Sequence, residues 1–255
     1  MKQHTIALKG DLTALASERV RSDIISGALP PGSRLRIAAL KEAYGIGASP
    51  LREALGRLIS EGIVRNEERR GFLVSPVSVQ ELRELVNLRK LLEKEALREA
   101  LANGDERWES GIIAALYRLG KLHAEFARGD MSNQERWEEL NEEFHEALLA
   151  GSQSHWLLHF WRIVYVCMRR YRRMCGTLAS PNGQAHEEHE ALKQAALARD
   201  FPRIAALIDD HLEHTYTRFV ERTRQTDAMH VKRTGNSPRR IVAAAAAAGK
   251  SSHSL

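Results

Sequence analysis

From Val77 to about Arg224 apolar residues recur every three to four positions, and no strand-like alternation interrupts them, so this stretch reads as helices only. Ser78-Val79-Gln80-Glu81 has the form of a capping box and opens a helix with Leu82, Leu85, Leu88, Leu92 and Ala96 along one stripe. Asn103-Gly104-Asp105 ends that helix and caps the next, which carries Ile112, Ile113, Leu116 and Leu119. A second capping box, Ser132 to Glu135, precedes Trp137, Leu140, Phe144, Leu148 and Leu149. A long helix is predicted from about His155 to Gly176, and another starts at Ser180-Pro181. Asp200-Phe201-Pro202 restarts the chain for a last helix through Ile204, Leu207, Ile208 and Leu212. About six antiparallel helices with short connections predict a bundle.

The first 76 residues follow a different pattern. Ala16 to Ser26 forms an amphipathic helix through Val20, Ile24 and Ile25, ended by Gly27 and the Pro30-Pro31-Gly32 turn. Leu40, Ala43 and Tyr44 mark a second helix, which Gly45 and Gly47 break. Ser49 is placed to cap a third with its hydroxyl, and Pro50 suits a first helical position. Leu51, Leu55, Leu58 and Ile59 give that helix a core face, and Arg52 lies on the opposite one. Ile63-Val64 and Phe72-Leu73-Val74 then flank a polar tip ending in Arg69-Arg70-Gly71, the pattern of a hairpin. Helix, helix-turn-helix and hairpin make a winged helix-turn-helix, an architecture that seats its recognition helix in a DNA major groove. Ser49, Arg52, Arg69, Arg70 and Gly71 are the candidate DNA-binding residues.

The fold expected is therefore mainly α: a winged helix-turn-helix over residues 1–76, a helical bundle over 77–225, and a disordered basic tail over 226–255. Charge sharpens this division. The total of +5 hides 12 basic against 8 acidic residues in 1–76 and 5 against 1 in 226–255, with the middle mildly acidic. Basic ends on a near-neutral body suit an anionic polymer. The 2 cysteines, Cys167 and Cys175, lie two helical turns apart, too far to bridge, and are expected as buried thiols in a reducing compartment. No apolar run reaches the length of a signal peptide core or a membrane span, so a cytoplasmic protein without a membrane partner is expected.

The bundle's chemistry sits in its histidines. Asn141 and His145 are one turn apart and share a face; His189 and His211 lie on the fifth and sixth helices. Three imidazoles and an amide oxygen from facing helices can hold a divalent metal. Helical histidines are more commonly hydrogen-bonded core residues or exposed, so spacing alone leaves both readings open.

Two resemblances extend these readings. PPGSRL, SPLREALGRLISEGIV and RRGFLV, in that order between Leu29 and Val74, resemble the N-terminal domain of the GntR family of bacterial transcription regulators. The family often carries Ser-Arg just before the recognition helix; Gly47-Ala48 stand there instead, which leaves more of the readout to Arg52 and the wing. Arg89…Glu93, Phe144-His145, EHEALKQAALARD and DDHL resemble the FCD domain, the all-helical effector domain of the FadR-type branch. That resemblance implies effector binding and homodimerisation by the bundle. It also implies a divalent metal, zinc foremost with nickel or another ion as alternatives, held by Asn141, His145, His189 and His211. GDERWES, GSQSHWLL and RRYRRM are similar to the glutarate- and carbon-starvation-responsive, CsiR/GlaR-like regulators, which implies a small carboxylate effector, a dicarboxylate or hydroxy-dicarboxylate, with Arg89 and Arg170 as candidates to clamp its distal carboxylate.

The function expected is a ligand-responsive repressor that binds a palindromic double-stranded operator and is released by its effector. Through the short link Ser75-Pro76-Val77-Ser78, the first bundle helix would transmit a pull on Arg89 to the wing. The alternative is a metal-dependent enzyme on the bundle, with Glu142, Glu143 or Glu188 as a base. The attached winged helix favours the regulator.

Overall fold

The computed structural model describes the backbone of residues 2–127, 133–175 and 184–234, and the side chains of residues 12–126, 133–174 and 184–225. Helices α1 (Lys2–Ser26), α2 (Ile37–Tyr44) and α3 (Ala48–Ser60) and strands β1 (Val64–Glu67) and β2 (Gly71–Val74) form the N-terminal unit. Gly45 ends α2 in the left-handed region (φ 66°), its N–H donating to the Lys41 carbonyl, a conformation that costs a residue with a Cβ. The helix that follows starts two residues earlier than expected. Gly47, extended, is its N-cap without a side-chain bond, and Ser49 lies inside the first turn, its hydroxyl 3.4 Å from Glu53 Oε1. Ser49 is thus not the cap, because the chain leaves the turn through the two glycines and is already helical at Ala48.

The wing is antiparallel, with Val64 opposite Val74 and Glu67 opposite Gly71. Leu40, Leu51, Leu55, Leu58, Val64 and Val74 close its core with Val20 and Ile24 of α1. Ile59, expected on that core face, is 37% exposed.

Six helices follow: α4 (Val79–Asn103), α5 (Glu106–Ala127), α6 (Gln134–Leu149), α7 (His155–Cys175), α8 (Gln184–Leu197) and α9 (Phe201–Thr234). Ser78 caps α4 by accepting from the Glu81 amide at 3.0 Å. The reciprocal bond of the capping box is made at one remove: the Ser78 amide donates to Tyr171 Oη of α7, which also contacts the Glu81 carboxylate. Asp105 caps α5 through the Trp108 amide at 2.9 Å. Ser132, Ser180 and Pro181, expected at helix starts, lie outside the described residues. The last helix runs on to Thr234, past the tail boundary expected at 225, and residues 235–255 are not described.

Of the stripe expected on α4, Leu82 and Ala96 are buried and Leu85 and Leu92 pack against the core, while one position fails. Leu88 is 44% exposed, and the inward positions are Leu82, Val86, Arg89, Glu93, Ala96, Leu97 and Ala100. An apolar count missed this because two inward positions carry opposite charges that neutralise each other, Arg89 Nε lying 2.7 Å from Glu93 Oε1. Ile113 of α5 likewise faces outward.

Candidate metal centre and nucleic-acid interface

Trp137, Leu140, Phe144 and Leu148 point α6 into the bundle core, and that phase carries Asn141 and His145 inward with them. His189 enters from α8 and His211 from α9. One ligand atom from each of these three histidines lies within 4.8 Å of the others. His145 and His189 are fully buried, His211 partly. Burial holds the His145 and His189 imidazoles well below the usual histidine range; Arg89 adds to this at His145, and His211 at His189. Both are therefore neutral and offer a lone pair, the form a cation binds.

Among the buried polar atoms here without a hydrogen-bond partner are Asn141 Oδ1, His145 Nε2 and both ring nitrogens of His189, of which one is an acceptor in the neutral ring, with Arg89 Nη2 and Glu93 Oε2 in the layer behind. A buried acceptor left unmatched costs free energy, so a fold retains such a set where something else satisfies it. A divalent cation fits the donor set. Asn141 Nδ2 donates to Tyr165 Oη at 2.6 Å, fixing the amide. His211 Nδ1 lies 2.7 Å from Glu188 Oε2, and His214 Nδ1 lies 2.8 Å from Glu188 Oε1, so one carboxylate orients the ligand imidazole from behind. Burial raises the pKa of Glu188, but these contacts with His211 and His214 outweigh it and hold the carboxyl below its ordinary value.

A second polar layer stands deeper. Glu93 Oε1 accepts from Arg89 Nε and from Trp161 Nε1, both at 2.7 Å, and lies 3.9 Å from His145 Nδ1. The Arg89 guanidinium sits over the Tyr165 ring at 4.6 Å. Arg89 is thus behind the imidazoles and does not line the cavity in front of them. That cavity is small, about 30 Å³, and its polar walls include Asn141, Arg172, Glu188, His189, His211 and Arg218. It has room for an ion and a water-sized group but not, in this arrangement, for an organic acid.

Arg170, expected beside Arg89, is turned to the other side of α7. It is buried there, Nη1 donating to the Ser75 carbonyl at 2.9 Å and Nε to the Cys167 carbonyl at 3.4 Å. The arginine facing the site is Arg172, paired with Glu138 at 2.7 Å and 4.6 Å over the Tyr165 ring. Sequence reasoning missed it, along with Glu93 as hub and Arg218 as wall. A signal existed for Arg172: Trp161, Tyr165, Met168 and Arg172 fall at i, i+4, i+7 and i+11, one helical face.

The opposite face of α7 enters the N-terminal unit. Cys167 belongs to that unit's apolar core, its thiol donating to the Glu61 carbonyl at 3.2 Å, and burial pushes the thiol pKa up. One helix therefore touches the candidate metal site, the inter-domain link and the recognition-helix unit.

On that unit Ser49, Arg52, Arg69, Arg70 and Gly71 are all exposed. Arg52 projects from α3. Arg69 and Arg70 form the wing tip, Arg70 reaching Glu67 at 3.2 Å, and Gly71 holds φ 72° where the turn meets β2. Arg34, Arg36 and Arg65 add exposed cations near the wing, and residue 34 bridges to Leu73 beside β2. A protruding helix and a basic hairpin tip can enter adjacent DNA grooves.

Comparison with known proteins agrees in both halves. Residues 12–74 match the model of bacterial regulatory proteins of the gntR family, and residues 84–214 match the FCD domain. The chain is 40% identical to the HTH-type transcriptional regulator BphR of Paraburkholderia xenovorans over 196 residues, covering 77% of this chain and 80% of that one. It is 33% identical over 206 residues to the HTH-type transcriptional repressor GlaR of Escherichia coli, covering 79% and 93%. Among solved structures, McbR/YncC of E. coli shares the fold with a TM-score of 0.69 at 24% identity, over 82% of this chain and 97% of that one. Among the described residues no helix is long and apolar enough to cross a membrane. With the winged unit, the helical bundle and these relatives all in agreement, the chain belongs to the GntR family of DNA-binding transcription regulators, in the FadR-type branch that carries an FCD domain.

Proposed function

We propose that this regulator is a metal-containing repressor that leaves its operator when a small carboxylate binds in the bundle. In this reading residues 1–76 bind DNA, 77–225 bind effector and pair two copies of the chain, and 226–255 form a basic tail. Asn141, His145, His189 and His211 hold one divalent ion, zinc foremost, which supplies a positively charged anchor for a carboxylate oxygen. The observation that carries the reading is the set of unpartnered lone pairs on Asn141, His145 and His189, buried where three helices converge. That the relative GlaR is a repressor supports the direction of control.

A homodimer places two recognition helices on a palindromic double-stranded operator, Ser49 and Arg52 at base edges and Arg69, Arg70 and Gly71 at phosphates or the minor groove. The signal travels along α7 more directly than along α4. Arg172 and Tyr165 stand at the site, while Cys167, Arg170 and Tyr171 of the same helix hold the reading head and the link. A ligand that parts the cavity wall displaces α7 only to the extent that it prefers the displaced arrangement.

Operator fragments selected from random DNA, followed by anisotropy titrations with and without small organic acids, test the reading. Nanomolar operator binding that weakens on adding an acid, and no longer does so after chelation, is the expected result. Operator affinity indifferent to every acid and to chelation would refute it.

A further inference from the structure

His145 and His189 are fully buried, so an ion that reaches them must first cross the protein. The cavity in front of them is a poor way in for a cation. Arg172 and Arg218 stand on its wall, and Glu188, the one acid among its described lining residues, is engaged by His211 and His214. A second pair of histidines stands beside His189. His123 of α5 and His186 of α8 are only half-buried and reach solvent. Their ring centroids are 5.3 Å apart, and His123 lies 6.1 Å from His189. The rings of His145, His189 and His211 are spaced at 5.2, 5.2 and 5.6 Å, so the second pair has the separation of two imidazoles on one ion. His186 Nδ1 is buried without a hydrogen-bond partner. Trp137 Nε1 donates to His123 Nε2 at 3.4 Å, a long bond that assigns the lone pair to that nitrogen and yields readily. Burial, with His186 adding to it, pushes the His123 pKa down to about 4, so this ring is neutral. Gly120 leaves space for the pair: it sits inside α5, where glycine weakens a helix, and a Cβ there would come 3.3 Å from His186 Cε1.

We infer that His123 and His186 form a second, transient site for a divalent cation, the station from which the ion passes to His189 and the buried centre. Two imidazoles from facing helices suit zinc, nickel or copper, and they leave the other coordination positions to water. An ion held by two protein ligands stays labile enough to move on. His189 replaces a water on the ion before His123 and His186 let go, so no ligand changes its protonation. This assignment rests on the proposed metal site, and the test separates the two.

Zinc uptake by the metal-stripped full chain, followed in stopped flow with a zinc indicator, and zinc release into excess chelator are the measurements. Kd is the ratio of the two rates, so an entry station changes both and leaves the affinity alone. The double variant His123→Gln with His186→Gln should slow uptake and release by the same factor, about tenfold, with Kd and zinc content unchanged. His123→Phe, which keeps a ring against Trp137, should also slow both rates. His186→Cys, which keeps a metal ligand, should retain most of the wild-type rate. Uptake and release unchanged in both the glutamine double variant and His123→Phe overturn the assignment. So does a Kd weakened through faster release alone, because the pair would then only support the first site. Wild-type protein that takes up no zinc overturns the metal site itself.

Discussion

The two cores of this molecule are both apolar, but only the bundle buries a cluster of charged and imidazole side chains within it. The reading head is closed by aliphatic side chains, with Leu51, Leu55, Leu58 and Val74 fully buried. The bundle has an apolar core of its own, with Leu82, Val86, Leu97, Ile112 and Leu192 fully buried, but sets a buried polar cluster inside it: Arg89, Glu93, Glu138, Asn141, His145, Arg172 and His189. An apolar core has one low-energy packing and resists deformation. A polar core depends on each charge and lone pair finding its match, so anything that supplies or removes a match moves the balance. The difference teaches a division of labour in which the rigid unit presents a fixed shape to DNA and the polar unit is the one able to respond. Cys167 is the exception that joins them, a bundle residue packed in the reading-head core.

Breaking one charge pair in the polar core gives the largest expected effect. Glu93→Gln leaves the Arg89 guanidinium buried without its carboxylate and should cost about 3–5 kcal/mol in chemical denaturation. The double variant Arg89→Met with Glu93→Leu should recover much of that loss. Unchanged stability in Glu93→Gln would remove the contrast between the cores.

Chelation tests the lone pairs next. If a divalent ion satisfies them, its removal at a free concentration about 1,000 times Kd costs about 4 kcal/mol, seen as a lower Tm. His189→Ala should lower the Tm in the same way and no longer respond to chelator.

The metal-free protein should also weaken in acid. His145 and His189 are depressed in the fold, so below the ordinary histidine pKa of about 6.5 the unfolded chain takes up protons that the folded one refuses. Stability is fully present above that pH and is lost as pH falls below it. Denaturation midpoints that stay level between pH 7 and pH 5 would contradict the burial of two neutral imidazoles.

The smallest effect on stability belongs to the reading head's exposed surface. Arg52→Ala should leave the Tm within experimental error, yet weaken operator binding by about 1–3 kcal/mol and relax the sequence preference at one base pair. A uniform loss across all sequences would make Arg52 a phosphate contact instead.

Legibility followed the range of the interactions. The winged unit is readable nearly residue by residue, because glycine turns, strand alternation and helix periodicity act over a few positions. The Ser78 cap and the inward phase of Trp137, Leu140, Asn141, Phe144 and His145 are equally local and equally legible. Local pattern misleads at Ser49, where helical geometry begins two residues before the expected start, and at Leu88, where a leucine in the expected stripe faces outward.

What the sequence by itself determined, then, was the order of elements, their caps and turns, and which residue types were available to hold a metal. Only the tertiary structure decided which arginine each surface of α7 presents, and to what: Arg170 to the Ser75 carbonyl, Arg172 to Glu138 and the cavity. Arg169, Arg170, Arg172 and Arg173 are indistinguishable by charge, and a rotation of about 100° per residue sends them in different directions. Which of those directions meets a carboxylate, a carbonyl or a ligand depends on residues 34 to 95 positions away in the chain, and no local pattern records it.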